Sequence, residues 1–353
     1  MQVGKLNSEQ KEWDLGDLKI QEASLYKYLG DVVTSDGRNS KNLEARQNNS
    51  LITTVTIISI AESEVMRNIG TRVLIEMHEE KNLSRLLTNA ESWTLNQGEK
   101  TKLEKIEIQS LEYLFDLPAH TPTPAIIFAF GLLYTNIRVD KKRFLYLHRI
   151  LNRDNDNYTR LTLQTLQEMD IGWAKNVKEA LSVYGLPNDF AEIQRTHIRQ
   201  WERMVSQRTE IMNQKRLYGD CHKKENNQQT VKTKTAHILS RISAPYTRKP
   251  IDEIMQCSKY DTKTIIIARY GMLECGRNYK GNKPEMCTQC NMLDDENHRL
   301  NECVKFRHVN LYDSETRVDF HKIFSNDIET LREIVPIIQK VWNTKTAHGI
   351  MVK

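Results

Sequence analysis

The chain has 353 residues, 39% of them hydrophobic and 27% charged, with a net charge of +5. That length predicts two or three domains with substantial cores, and the composition suits a soluble, helix-rich protein. No apolar run reaches the length of a bilayer span, the N-terminus lacks a secretion-type apolar region, and the six cysteines suggest no disulfide framework. The composition therefore argues against secretion and membrane insertion and for a reducing, intracellular compartment, nucleus or cytoplasm.

Near the start, YKYLGDVVTSDGR predicts a short β-hairpin: Tyr26 and Tyr28 on one side of a break, Val32 and Val33 on the other, with Ser35-Asp36-Gly37 as a turn signal. From Leu43 to Leu87 the near absence of proline and glycine favours helices, although the β-branched run LITTVTIISI is locally ambiguous. Leu103, Ile106, Ser110, Leu111 and Leu114 form a helical stripe that Leu117-Pro118 ends. His120 to Pro124, HTPTP, is a rigid break before the helical stretch AIIFAFGLL.

Phe144, Leu147, His148 and Leu151 then recur at helical spacing, which makes His148 a helix-face residue rather than a catalytic base. Asn152 to Asn157 reads as an exposed loop and a candidate domain boundary. Ile198, Trp201, Val205 and Met212 make a further stripe, and Tyr218 to Lys234 has the composition of a mobile linker. The last element, DIETLREIVPIIQKVW, is an amphipathic helix kinked or restarted at Pro336.

The charge is unevenly placed. Between Arg195 and Lys249 there are thirteen lysines and arginines against four acids. A block so basic suits a polyanion, with Arg199, Arg203, Lys215, Arg216, Lys223 and Lys224 as phosphate contacts and Trp201, Tyr218 and Tyr246 available to stack on bases. The same pattern also suits a solvated helix face followed by a polar linker.

One segment carries specific chemistry. CTQCNMLDDENHRLNEC, residues 287–303, spaces Cys287, Cys290, His298 and Cys303 as C-x2-C-x7-H-x4-C. Two thiolates two residues apart can grip an ion from a tight turn, and a His/Cys pair can complete a tetrahedron. Three Cys and one His close the shell to water, which predicts one structural Zn²⁺ that helps fold a segment too small to fold alone. Asp294, Asp295 and Glu296 read as a solvated turn, and Cys221, Cys257 and Cys275 as linker or spare thiols. No phosphate-cradling glycine loop, G-x-S-x-G elbow or H-E-x-x-H helix is present.

Three stretches in this order are similar to the C-terminal third of reverse transcriptases of non-LTR (LINE-type) retrotransposons. YKYLGDVVTSDGR resembles the stretch that closes the palm, NAESWTLNQGEKTKLEKIEIQSLEYLFDLPAHTPTPAIIFAFGLL resembles the helical thumb and connector, and ARYGMLECGRNYKGNKPEMCTQCNMLDDENHRLNEC resembles the CCHC zinc knuckle. The resemblance implies a mainly α chain: an end-of-palm-like segment with the hairpin (1–42), a thumb-like bundle (43–152), a basic helical connector (153–255), the knuckle region (256–310) and a C-terminal helix (311–353).

The family's catalytic aspartate pair lies upstream of the palm-closing stretch. The sole Asp-Asp here, Asp294-Asp295, sits inside the cysteine cluster and does not carry over. The expectation is a fragment or degraded copy of an RNA-directed DNA polymerase with no catalytic residues of its own, binding RNA and DNA, with other protein of the same element as an implied partner. The alternative expectation is a helical protein-interaction module with a structural zinc site.

Overall fold

The computed structural model describes residues 13–15, 18–20, 23–28, 30–35, 37–63, 69–119, 121–222, 252–273, 275, 286–306, 318–325 and 327–342. These residues are mainly helical, with two small antiparallel hairpins at the N-terminal end. The chain divides into two compact units: residues 1–56, 79–110 and 133–213 form the first, and 57–78, 111–132 and 214–353 the second.

The expected hairpin pairs β3 (Leu25–Tyr28) with β4 (Asp31–Thr34), in the register Leu25 to Thr34 and Tyr28 to Asp31. Its reversal uses Gly30 at φ 90°, a backbone region that favours glycine. A second hairpin, β1 (Trp13–Leu15) with β2 (Leu18–Ile20), was not anticipated.

α1 (Ser40–Glu62) resolves the ambiguity of LITTVTIISI in favour of helix. The threonine hydroxyls accommodate this by donating back to carbonyls four residues earlier, Thr53 to Asn49, Thr54 to Ser50 and Thr56 to Ile52, at 2.8 to 2.9 Å. A buried network ties the hairpin to α1. Arg46, only 5% exposed, donates to Asp31 at 2.6 Å and to the Arg85 carbonyl at 2.7 Å, while Asn42 and Asn89 also donate to the Asp31 carboxylate.

The chain then runs through α2 (Thr71–Met77), a π-helical turn at His78–Leu83, the short α3 (Ser84–Leu86) and α4 (Gln97–Phe115). All five residues of the α4 stripe are buried. The first unit's apolar core joins Leu43, Leu83, Leu86, Leu87, Trp93 and Leu103 with Val139.

α5 (Thr123–Phe130) ends on Gly131 in the left-handed region. α6 (Thr135–Leu151) buries Phe144 and Leu147 completely. α7 (Tyr158–Glu168) and α8 (Gly172–Tyr184) pack on it, and α9 (Phe190–Arg195) follows. The exposed loop at Asn152–Asn157 lies inside the first unit, where Asn157 accepts the Thr159 N–H and caps α7.

α10 (Ile198–His222) is one helix that takes in Tyr218 to His222, which the composition had assigned to a linker. Its buried face is Trp201, Val205, Thr209, Asn213 and Leu217, and Ile198 is exposed instead. Two of those positions are polar because each has a partner. Asn213 accepts the Tyr134 N–H at 2.9 Å, and Thr209 donates to the Val205 carbonyl at 2.9 Å.

In the second unit, α11 (Asp252–Gln256), α12 (Lys259–Arg269) and α13 (Ile328–Trp342) pack together. Buried Lys263 meets Asp116 at 2.6 Å, and Phe115 stacks on Phe130 with centroids 4.5 Å apart. α13 is a single helix containing Pro336, so the chain does not restart there. Its buried side runs Leu331, Ile334, Val335 and Ile338, and Gln339 donates to Asp261 and Thr264 on α12.

Candidate metal centre

The loop from Met286 to Phe306 belongs to the second unit and is built from two local turns. In the first, the Cys287 N–H donates to the Met292 carbonyl at 2.7 Å and the Asn291 N–H to the Cys287 carbonyl at 2.8 Å, while Met286 and Leu293 form an isolated bridge. Asn291 takes a positive φ of 53°, which asparagine tolerates better than most side chains. In the second, a π-helical turn at His298–Glu302 closes with the Cys303 N–H donating to the His298 carbonyl at 2.7 Å.

These turns bring Cys287, Cys290, His298 and Cys303 together. One ligand atom from each lies within 4.8 Å of all the others, and the sequence-predicted set is the one group of this kind among the described residues. Cys303 Sγ is 3.8 Å from Cys287 Sγ and 3.9 Å from Cys290 Sγ. A tetrahedral ion with thiolate bonds of about 2.3 Å sets its sulfurs about 3.8 Å apart, so these two distances are compatible with a metal shell. The four residues form a group able to hold one metal ion in tetrahedral coordination.

The His298 side chain supplies the second test of fit. It is 1% exposed, and neither ring nitrogen has a hydrogen-bond partner. A buried imidazole with two unmet nitrogens is costly by itself and is satisfied when one of them binds an ion. Nδ1 lies 3.7 Å from Glu302 Oε2, which puts a carboxylate near the ring but beyond hydrogen-bond distance. That Glu302 lies four residues after His298 on one helical turn was legible in HRLNE and was missed.

The thiols are electrostatically unequal. Burial raises Cys287, but the adjacent His298 ring and the backbone N–H groups of Gln289 and Cys290 more than offset it and bring the thiol down to about 6. Burial and the two neighbouring thiols push Cys303 up to about 11, against the opposing Lys305 N–H. The Val304 N–H additionally reaches Cys290 Sγ at 3.4 Å.

The acidic stretch is more than a solvated turn. Asp294 is buried to 9% exposure and takes both arms of Arg299 at 2.7 Å each, and Asp295 accepts the His298 N–H at 2.8 Å. Arg299 also lies over the Phe306 and Trp342 rings, which anchors the metal loop to α13. None of the three acids joins the ligand group. Cys257 and Cys275 are buried in the same unit and also stand outside it.

Of the six phosphate-contact candidates, Arg199, Arg203 and Lys215 are exposed on α10. Arg216 is half-buried and pairs with Asp220 at 3.5 Å. Lys223 and Lys224 lie outside the described residues, as do Tyr246 and the rest of the basic block from 223 to 249. Trp201, named as a stacking residue, is wholly buried and donates its indole N–H to the Phe144 carbonyl at 3.0 Å, so it cannot stack on a base. His148 is buried with Nε2 2.8 Å from the Thr196 carbonyl, a helix-packing role.

No helix among the described residues is long and apolar enough to cross a membrane. In comparisons with known proteins, no family model, no curated protein and no solved structure matches this chain.

Proposed function

We propose that the chain is a zinc-stabilised nucleic-acid-binding protein that binds RNA and DNA without catalysing chemistry on them. The observation that carries the proposal is the closed Cys287, Cys290, His298, Cys303 group with its 3.8 and 3.9 Å sulfur edges. Three thiolates and an imidazole are the donor set that suits Zn²⁺, and a shell filled by protein leaves no position for a reactive water. The ion would hold together the two turns that carry its ligands, which is a structural role. Nucleic-acid binding is supported by the basic 195–249 block and by the exposed Arg199, Arg203 and Lys215 on α10. It is also supported by the sequence resemblance to the thumb, connector and knuckle of non-LTR retrotransposon reverse transcriptases, of which this chain would be a C-terminal fragment.

A second reading has its own observation. Met286, Met292, Leu293 and Val304 are 44 to 57% exposed around the metal loop, where, with Asp294 and Arg299 paired to each other, Asp295, Glu296 and Glu302 outnumber Lys305. An apolar surface with an acidic surround suits a protein partner better than a phosphate backbone. The two readings separate in a salt titration. Binding of labelled single-stranded RNA or DNA that weakens steeply with salt and is insensitive to sequence supports the first. Absence of binding at low salt rejects it in favour of the second.

A further inference from the structure

In the first unit, α6, α7 and α8 border a groove of about 350 Å³ whose lining includes Ser92, Tyr146, Tyr158, Thr162, Leu166 and Trp173. Two of its aromatic rings are held in place. The Trp173 indole N–H donates to the Glu91 carbonyl at 2.8 Å, with the guanidinium of Arg143 over its ring at 6.0 Å. Tyr146 meets Trp173 edge to face at 5.9 Å and has Arg149 over its ring at 5.6 Å.

The third ring is different. Tyr158 is the first residue of α7 and 87% exposed, the most exposed large apolar side chain among the described residues. A tyrosine left in water beside two fixed aromatic rings gains by closing on a flat ligand that fills the space between them. Apolar packing alone would admit an aliphatic side chain as well. The surrounding charge favours an anion that carries a ring: from 149 to 160, Arg149, Arg153 and Arg160 outnumber Asp154 and Asp156, and Arg160 donates to the Arg153 carbonyl.

We propose that this groove takes one unpaired base of a single-stranded nucleic acid, stacked on Tyr158 within the corner formed by Tyr146 and Trp173, with the flanking phosphates beside Arg149 and Arg153. The inference rests on the nucleic-acid reading above and adds to it a defined base site in the first unit. It predicts preference for single strands, because a base inside a duplex cannot enter.

The test uses the full zinc-loaded chain and fluorescence anisotropy with a labelled mixed-sequence oligonucleotide, single-stranded and as its duplex. Tyr158 is exposed, so Tyr158→Ala leaves the fold intact. It is expected to weaken single-strand binding about tenfold, the worth of one base–aromatic stack, while Tyr158→Phe binds as the wild type and neither variant changes duplex affinity. Equal single-strand affinity of wild type and Tyr158→Ala overturns the base site and leaves the broader reading standing. An equal loss on duplex and single strand also overturns it. A wild-type chain that binds neither form removes the broader reading and the base site with it.

Discussion

Asp31→Ala is expected to destabilise the first unit by about 3 kcal/mol, the low end of the range for breaking a buried ion pair by removing one partner. The carboxylate accepts from Arg46 at 2.6 Å, Asn89 at 2.8 Å and Asn42 at 3.2 Å, so its loss strands three donors. The Arg46 side chain is 6% exposed and that of Asp31 18%, which leaves the cation almost dry and the anion partly hydrated. Arg46 keeps the Arg85 and Thr88 carbonyls at 2.7 and 3.3 Å, which moderates the loss, but no counter-charge remains. Urea unfolding followed by helical circular dichroism measures the cost. Asp31→Ala combined with Arg46→Met should cost less than the two single changes added together, since no charge is then buried alone. A single-variant cost below about 0.5 kcal/mol, or strict additivity, would refute the view that this pair organises the hairpin and α1.

Burial raises the carboxyl of Glu107, with Arg138 and the Thr135 hydroxyl opposing. The folded state therefore holds that proton to higher pH than the unfolded chain. Stability from this group is full below the unfolded value of 4.5 and is lost as pH rises towards the raised folded value. Glu107→Gln, which keeps the acceptor for Thr135, should raise the melting temperature at pH 7 and leave it unchanged near pH 4, as thermal scans at the two pH values would reveal. Reversing both exposed arginines, Arg199→Glu with Arg203→Glu, should flatten the slope of log affinity against log salt for single strands by roughly 1 to 2, and an unaltered slope makes α10 a merely solvated face. Primer extension on an RNA template with Mg²⁺ should give only background, and extension abolished by a substitution in this chain would refute the non-catalytic reading.

The metal group was legible because ligand chemistry is local: two short turns place four residues whose spacing alone announces them. The α4 and α6 stripes were legible for the same reason, since their apolar residues recur at helical period. α10 was legible only in part. Its buried face passes through Thr209 and Asn213, whose partners are a carbonyl on the same helix and a backbone N–H 79 residues away. Hydrophobic periodicity cannot see a polar residue that is satisfied by tertiary structure, and it took exposed Ile198 as core instead. The Asp31–Arg46 pair and buried Glu107 were invisible for the same reason, as each depends on groups contributed by other elements. LITTVTIISI shows the converse, where packing and threonine back-bonding override β-propensity. Trp201 was misassigned because an aromatic among arginines reads alike whether it faces solvent or core.

We propose that Cys287, Cys290, His298 and Cys303 hold one Zn²⁺ and that the ion orders the loop they lie in. The most direct measurement is zinc K-edge X-ray absorption on the purified full chain, with metal content determined on the same sample. The expected result is one zinc per chain with three sulfurs at about 2.3 Å and one nitrogen at about 2.0 to 2.1 Å, changing to two sulfurs or to loss of the ion in Cys287→Ser. A chain that binds no zinc, or a shell of four sulfurs or of oxygen ligands at full occupancy, would contradict it.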